Sequence, residues 1–219
     1  IFLQQLINGL VLGSVYALVA LGYTMVYGIL ELINFAHGEV TMIGAMVALS
    51  VISALVGANV GLPGYLIITL GVLVAIPACM LLGFTIERVA YRPLRHAPRL
   101  APLISAIGMS FVLQNIGLLW KGPANLGFPD VIPNTNVLTT VFGLETAITI
   151  SYKQIFAAVV TIPLLIALTW FVSATRQGKA MRATAQDPDT AGLMGVDVNR
   201  TIAITFMIAG ALAGAAGLV

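Results

Sequence analysis

Charge is scarce in this chain: Lys and Arg number 10 and Asp and Glu 8 in 219 residues. Three stretches carry none at all, from Ile1 to Leu30, from Val40 to Ile86 and from Leu100 to Trp120. A formal net charge of +2 is too small to imply a nucleic-acid partner. The single cysteine, Cys79, can form no intrachain disulfide and leaves the redox compartment open. The two histidines, His37 and His96, lie in different segments, and the H-E-x-x-H pattern of zinc enzymes is missing, so no metal site is expected. A phosphate-binding loop needs G-x-x-x-x-G-K-[ST]. Here Gly178-Lys179 is followed by Ala180, and Ser173 stands where the first glycine belongs. There is no G-x-S-x-G elbow either. The sequence therefore offers no catalytic residue and no nucleotide or other cofactor site of its own. A basic n-region is also lacking, and the first apolar run is too long for the core of a signal peptide.

What the chain does have is apolar length. It is 59% hydrophobic, with a mean hydropathy of +1.03, where soluble domains average about 45–50% apolar residues. A helix needs about 20 mostly apolar residues to cross a bilayer core about 30 Å thick. Runs at 5–28, 40–57, 64–86, 101–120 and 154–174 meet that requirement, and a further run opens near Thr201. The expected fold class is all-α: a polytopic transmembrane helix bundle of about six spans forming one domain over residues 1–219. Gly9 with Gly13, and Gly210 with Gly214, make GxxxG pairs, and Ser105, Gly108 and Ser110 add small residues; these fit ordinary close packing of helices in lipid.

The basic residues mark topology. Arg88, Arg92, Arg95 and Arg99 fall between the third and fourth runs, and Arg176, Lys179, Arg182 and Arg200 between the fifth and sixth. Lys and Arg favour the cytoplasmic side of short loops, so both segments are expected inside, with the required even number of spans between them. The N-terminus and the segment 121–153 are then outside. That outer segment is rich in Pro, Gly and Asn, and its two β-branched runs around Gly143-Leu144-Glu145 suggest a small hairpin, read either as an ordered turn or as a docking surface.

Two polar motifs stand out. Ile33-Asn34-Phe35-Ala36-His37-Gly38-Glu39 puts a histidine and a carboxylate beside apolar sequence on both sides. A charge at bilayer depth costs at least about 2.5 kcal/mol, so such groups face a cavity or a partner. The motif fits a cytoplasmic turn in which Asn34 caps the second span. The alternative is a break within the membrane that lines a translocation path, where a helix start would suit an anion. The second motif lies within Arg176 to Arg200, a segment that holds seven of the 18 charged residues. Asp187 and Pro188 are start signals for a short helix over Thr190 to Met194, and Gly195 is a stop signal. So ordered a loop does more than reverse the chain.

These motifs, taken together, resemble those of the branched-chain amino-acid ABC transporter permease family. The match extends over essentially the whole chain, through N-G-L-V-L-G-S-V-Y-A-L-V-A-L-G-Y-T-M-V-Y-G-I from Asn8, I-N-F-A-H-G-E from Ile33 and E-R-V-A-Y-R-P-L-R from Glu87. It continues with L-I-S-A-I-G-M-S from Leu103 and M-R-A-T-A-Q-D-P-D-T-A-G-L-M-G-V from Met181. The similarity is to the first of the two permease subunits such systems use. It implies a multi-pass subunit in a bacterial inner membrane that moves Leu, Ile or Val. Implied partners are a second homologous permease, two ATPase subunits that bind and hydrolyse ATP, a periplasmic substrate-binding protein and membrane lipid. Asp187, Asp189, Ala191, Gly192, Leu193, Met194, Gly195 and Val196 match the family's ATPase-coupling segment. Asn34, His37, Gly38 and Glu39 match a membrane motif expected along the translocation path. Members of the family usually continue with further C-terminal spans, so the sequence is expected to be part of a longer protein.

Related systems move other small amino acids, urea or short amides, which leaves the substrate open at this stage. An ion-coupled carrier would place an ionisable residue within its spans for coupling, and the third, fourth and fifth runs contain none between their ends. An intramembrane enzyme would need facing polar groups at depth, and only the Asn34 to Glu39 region offers candidates. A purely structural membrane subunit is the remaining alternative.

Overall fold

A computed structural model describes residues 2–59, 61–95, 97–98, 100–124, 126–129, 149 and 151–218. Among the described residues, six helices are long and apolar enough to cross a bilayer. They are α1 (Phe2–Leu30), α2 (His37–Gly57), α3 (Gly64–Ile86, continuing helically to Leu94), α4 (Leu100–Lys121), α5 (Tyr152–Ala174) and, after two shorter helices, α8 (Val198–Ala216). The protein is a multi-pass membrane helix bundle, and each expected run falls on one of these helices. The expected hairpin falls mainly on 130–148, outside the described residues.

Between α5 and α8 lie α6 (Arg176–Gln186) and α7 (Pro188–Leu193). The short helix expected around 190–194 is α7, shifted toward its capping aspartate. The eleven residues of α6 were not expected as a helix. Thr175 starts α6 by accepting the Gly178 N–H at 3.0 Å. Its Gly178, Met181 and Thr184 turn inward at helical spacing.

The third span is longer than its apolar run. Past Ile86 it widens into a π-turn, Glu87–Tyr91, and then tightens into a 3-10 turn, Arg92–Leu94. Pro93 supplies a reason: it has no N–H, and its ring would press on a carbonyl one turn back, so regular α-helix fails just ahead of it. The Arg92 N–H reaches back to the Glu87 carbonyl. Arg88 and Arg92 therefore ride on the end of this helix and not in a free loop.

The most buried helix is α8. It packs against α3, α1 and α2, and its small residues set the spacing. A methyl group added at Gly210 would overlap the Cys79 carbonyl, and one at Gly214 would lie 2.9 Å from the Ala75 carbonyl oxygen. The GxxxG pair of α8 is thus a true close approach to α3. The pair in α1 is not: a methyl group added at Gly9 or Gly13 would meet nothing within 4 Å among the described residues. One apolar cluster joins Val26, Val40, Cys79, Ile86, Tyr91 and Phe206, and a second joins Leu18, Leu168, Leu212 and Ala216.

The two ends of the bundle are distinct. At one, the Gln4 carboxamide pairs with the Thr149 backbone, donating to its carbonyl at 2.8 Å and accepting its N–H at 2.7 Å, while Gln154 donates to Asn8 at 2.8 Å. At the other, the 31–36 turn, the end of α3 and the start of α8 converge, through Tyr91 on Asn34 and Arg95 on Asn199.

Candidate functional site

Residues 31–36 leave helical conformation between α1 and α2. Glu31 turns the chain with a left-handed φ of 53°. Asn34 is buried, and its Oδ1 accepts the Ala36 N–H at 3.2 Å, an Asx turn two residues before the helix. It is not the helix cap: Ala36 holds that position without a side-chain bond. The same Oδ1 accepts the Tyr91 hydroxyl at 3.3 Å, which joins this motif to the E-R-V-A-Y-R-P motif 57 residues away. His37 opens α2 with its ring buried, edge-on to Tyr23 at 4.6 Å between centroids, in a notch left by Gly22. A methyl group at Gly22 would overlap that ring.

Glu39 lies in the first turn of α2 and is directed toward α4. Its Oε1 accepts the Ser110 hydroxyl at 3.1 Å and the Gln114 amide at 2.8 Å, and the side chain is half-buried. Gln114 is exposed on the protein surface. Asn34 and His37 therefore belong to the α1–α3 interior, whereas Glu39 forms a polar station with α4. Gly38 is exposed, with Tyr23 Oη 3.5 Å from the position a Cβ would take. The seven-residue motif thus serves two surroundings. Ser110 and Gln114 could not be assigned from the sequence, because their pairing with Glu39 spans 71 and 75 residues.

The second site is α7 with its flanks. Asp187 caps the helix: Oδ1 accepts the N–H groups of Asp189 at 3.0 Å and Thr190 at 3.2 Å, and the Thr190 hydroxyl donates to Oδ2. These bonds hold the exposed Asp187 carboxyl below its ordinary value of 3.8, the contacts with Thr190 first. At the other end the Gly195 N–H reaches the Gly192 carbonyl at 3.1 Å and the Val196 N–H reaches Ala191 at 3.0 Å. That is a Schellman closure, and it sets Gly195 at φ 86°. Ala191 is buried, and Val196 is half-buried. Asp189 and Gly192 face out, as do Leu193 and Met194, whose side chains are 88% and 82% exposed. Two large apolar side chains are thus held outward on a doubly capped turn.

A groove of about 510 Å³ lies beside this site between α1, α5 and α6, lined mainly by apolar groups such as Met25, Ile29, Leu168 and Val172. Arg182 at its rim donates to the Val172 and Ser173 carbonyls and so closes the end of α5.

The sequence profile of one family, described as "Branched-chain amino acid transport system / permease component", matches residues 5–219. The chain is 47% identical over 220 residues to the high-affinity branched-chain amino acid transport system permease protein BraD of Pseudomonas aeruginosa, a match that covers 99% of this chain and 70% of that protein. It is 45% identical over 217 residues to the corresponding LivH protein of Escherichia coli strain K12, again over 99% of this chain and 70% of the relative. A probable branched-chain amino acid transport permease protein LivH from Methanocaldococcus jannaschii is 29% identical over 217 residues, covering 96% of this chain and 63% of that one. No solved structure matches.

Proposed function

Because the chain belongs to the branched-chain amino acid transport system permease family, we propose that it is the membrane-spanning subunit of an ATP-driven ABC importer for Leu, Ile or Val. The observation that carries this reading is 45% to 47% identity, over 99% of the chain, to proteins named as high-affinity permeases for those amino acids. The chain itself is a transport subunit and not an enzyme. Nucleotide binding and hydrolysis belong to two partner ATPases, a second permease completes the pore, and a periplasmic protein delivers the amino acid.

In this reading α7 rests on an ATPase subunit. Leu193 and Met194 enter an apolar socket there, while Asp187 and Gly195 fix the angle at which they are presented. The α7 end of the bundle is cytoplasmic, and the N-terminus, paired with Thr149, is outside. The substrate moves past Glu39, whose carboxylate with Ser110 and Gln114 forms a polar station at the membrane-facing start of α2. A lipid-facing carboxylate is costly, and a water-filled path or a second subunit on that side removes the cost.

Purification of the full-length subunit from its native membrane, followed by reconstitution with whatever accompanies it, tests the assignment. A second permease and two P-loop ATPases should come along, and the vesicles should take up leucine when supplied with ATP and the binding protein. A subunit that purifies alone in gentle detergent would defeat the reading. Glu39→Gln keeps the hydrogen bonds to α4 but removes the charge. It should insert at normal abundance and lower uptake; normal uptake would reduce Glu39 to a packing role.

A further inference from the structure

The end of α3 carries a partly buried ion pair that the transport reading above does not use. Glu87 is 1% exposed, and its carboxylate is paired with Arg95. The same guanidinium donates through its other terminal nitrogen to Oδ1 of Asn199, in the first turn of α8. A buried ion pair adds little net stability over apolar packing, because desolvation offsets the attraction. What it does supply is a fixed geometry. A planar fork can hold two acceptors at once in set directions, which an ammonium on a flexible stem does less well.

The same π-turn grips α8 a second time. The Tyr91 ring packs on Phe206 at 5.0 Å between centroids, and the Tyr91 hydroxyl reaches Asn34 Oδ1 at 3.3 Å. Asn199 and Phe206 lie two helical turns apart on α8. The N-terminal half of α8 is thus held at two heights by the end of α3, and Tyr91 also holds the bend that leads into α2. Only residues 194–197 separate α7 from α8. Displacement of α7 therefore has a short route: into the first turn of α8, across Arg95 and Tyr91, and on to the Asn34 turn.

We propose that Arg95 is a positioning residue for transport, holding the α7–α8 junction in register with the end of α3 so that movement of the ATPase-facing segment reaches the α1–α2 turn. The proposal rests on the importer reading above. The π-turn suits such a role, because wide turns of this kind recur at functional positions. The Arg95 fork also provides a discrete contact that is either made or broken, as transmission between sites requires.

The test uses the complete importer in vesicles, with leucine uptake and ATP hydrolysis measured in the same preparation. Asn199 is exposed, so Asn199→Ala removes one arm of the fork and leaves the Glu87–Arg95 pair intact. Arg95→Lys keeps the charge but loses the planar fork that holds both acceptors in fixed directions. Both variants should lower the leucine moved per ATP hydrolysed by about fivefold, at unchanged subunit abundance and hydrolysis rate. Asn199→Asp, which retains the acceptor, should restore the ratio. An unchanged ratio in Asn199→Ala overturns the proposal. So does a parallel fall in uptake, hydrolysis and abundance, which marks a role in folding alone. The wild-type complex separates the two levels: if it takes up no leucine, the importer reading falls and the proposal with it. If it does take up leucine and the variants keep its ratio, only the positioning role falls.

Discussion

At the scale of the residue, identical glycine motifs have different consequences. Gly210 and Gly9 both open a GxxxG pair, yet Gly210 lies against the Cys79 backbone while a methyl group added at Gly9 would meet nothing within 4 Å among the described residues. Backbone cannot swing aside as a side chain can. Gly210→Ala should therefore destabilise the bundle by about 1–3 kcal/mol, and Gly9→Ala should stay within about 0.5 kcal/mol. Thermal unfolding of the two variants in the same detergent decides the matter: equal losses would mean that α3 and α8 do not meet as described. The sequence could not separate the two pairs, since spacing shows that small residues share a face but not what that face meets. Arg95 shows the same limit. Its charge read as a topology marker, and its fork is defined by Glu87 and Asn199, the latter 104 residues away.

At the scale of the element, α7 is a helix of six residues that stands on its ends. So short a helix is marginal by itself, and the Asp187 cap and the Gly195 closure make up the difference. Gly195 has open space around its Cα but a φ of 86°, so any substitution there is strained by backbone and not by contact. Gly195→Ala should cost about 1 kcal/mol, Gly195→Asn less, since Asn tolerates this region. Leucine uptake should follow the same order, with Asp187→Ala impaired and Asp187→Asn close to wild type. The pH dependence follows from the lowered Asp187 carboxyl. A group whose folded value is depressed contributes fully above its ordinary value of 3.8 and loses that contribution as pH falls through the lower folded value. Capping of α7 should thus be constant across the neutral range, and a change in uptake between pH 6 and pH 8 that Asp187→Asn abolishes would contradict it. The start and stop signals of α7 were legible because capping is local chemistry. By contrast, α6 was hidden: its flanking charges suggested a loop, and its inward residues are Gly178, Met181 and Thr184, only one of them strongly apolar.

At the scale of the whole molecule, the number and limits of the spans were plain in the sequence, because length and apolarity are properties each run carries alone. The arrangement of the spans was not. The family resemblance supplied the permease class, and the comparison with named permeases agrees with it over nearly the full chain. Neither indicated that α8 stands at the centre, nor that Glu39 turns away from Asn34 and His37 toward α4. That central place has a consequence for biogenesis. The ribosome makes α8 after the spans it packs against, so α1, α2 and α3 enter the bilayer before the helix they pack around exists. Until then the small-residue surface of α3 around Gly83 and Cys79 can be covered only by lipid or by an insertion factor. The bundle closes from the inside, and late.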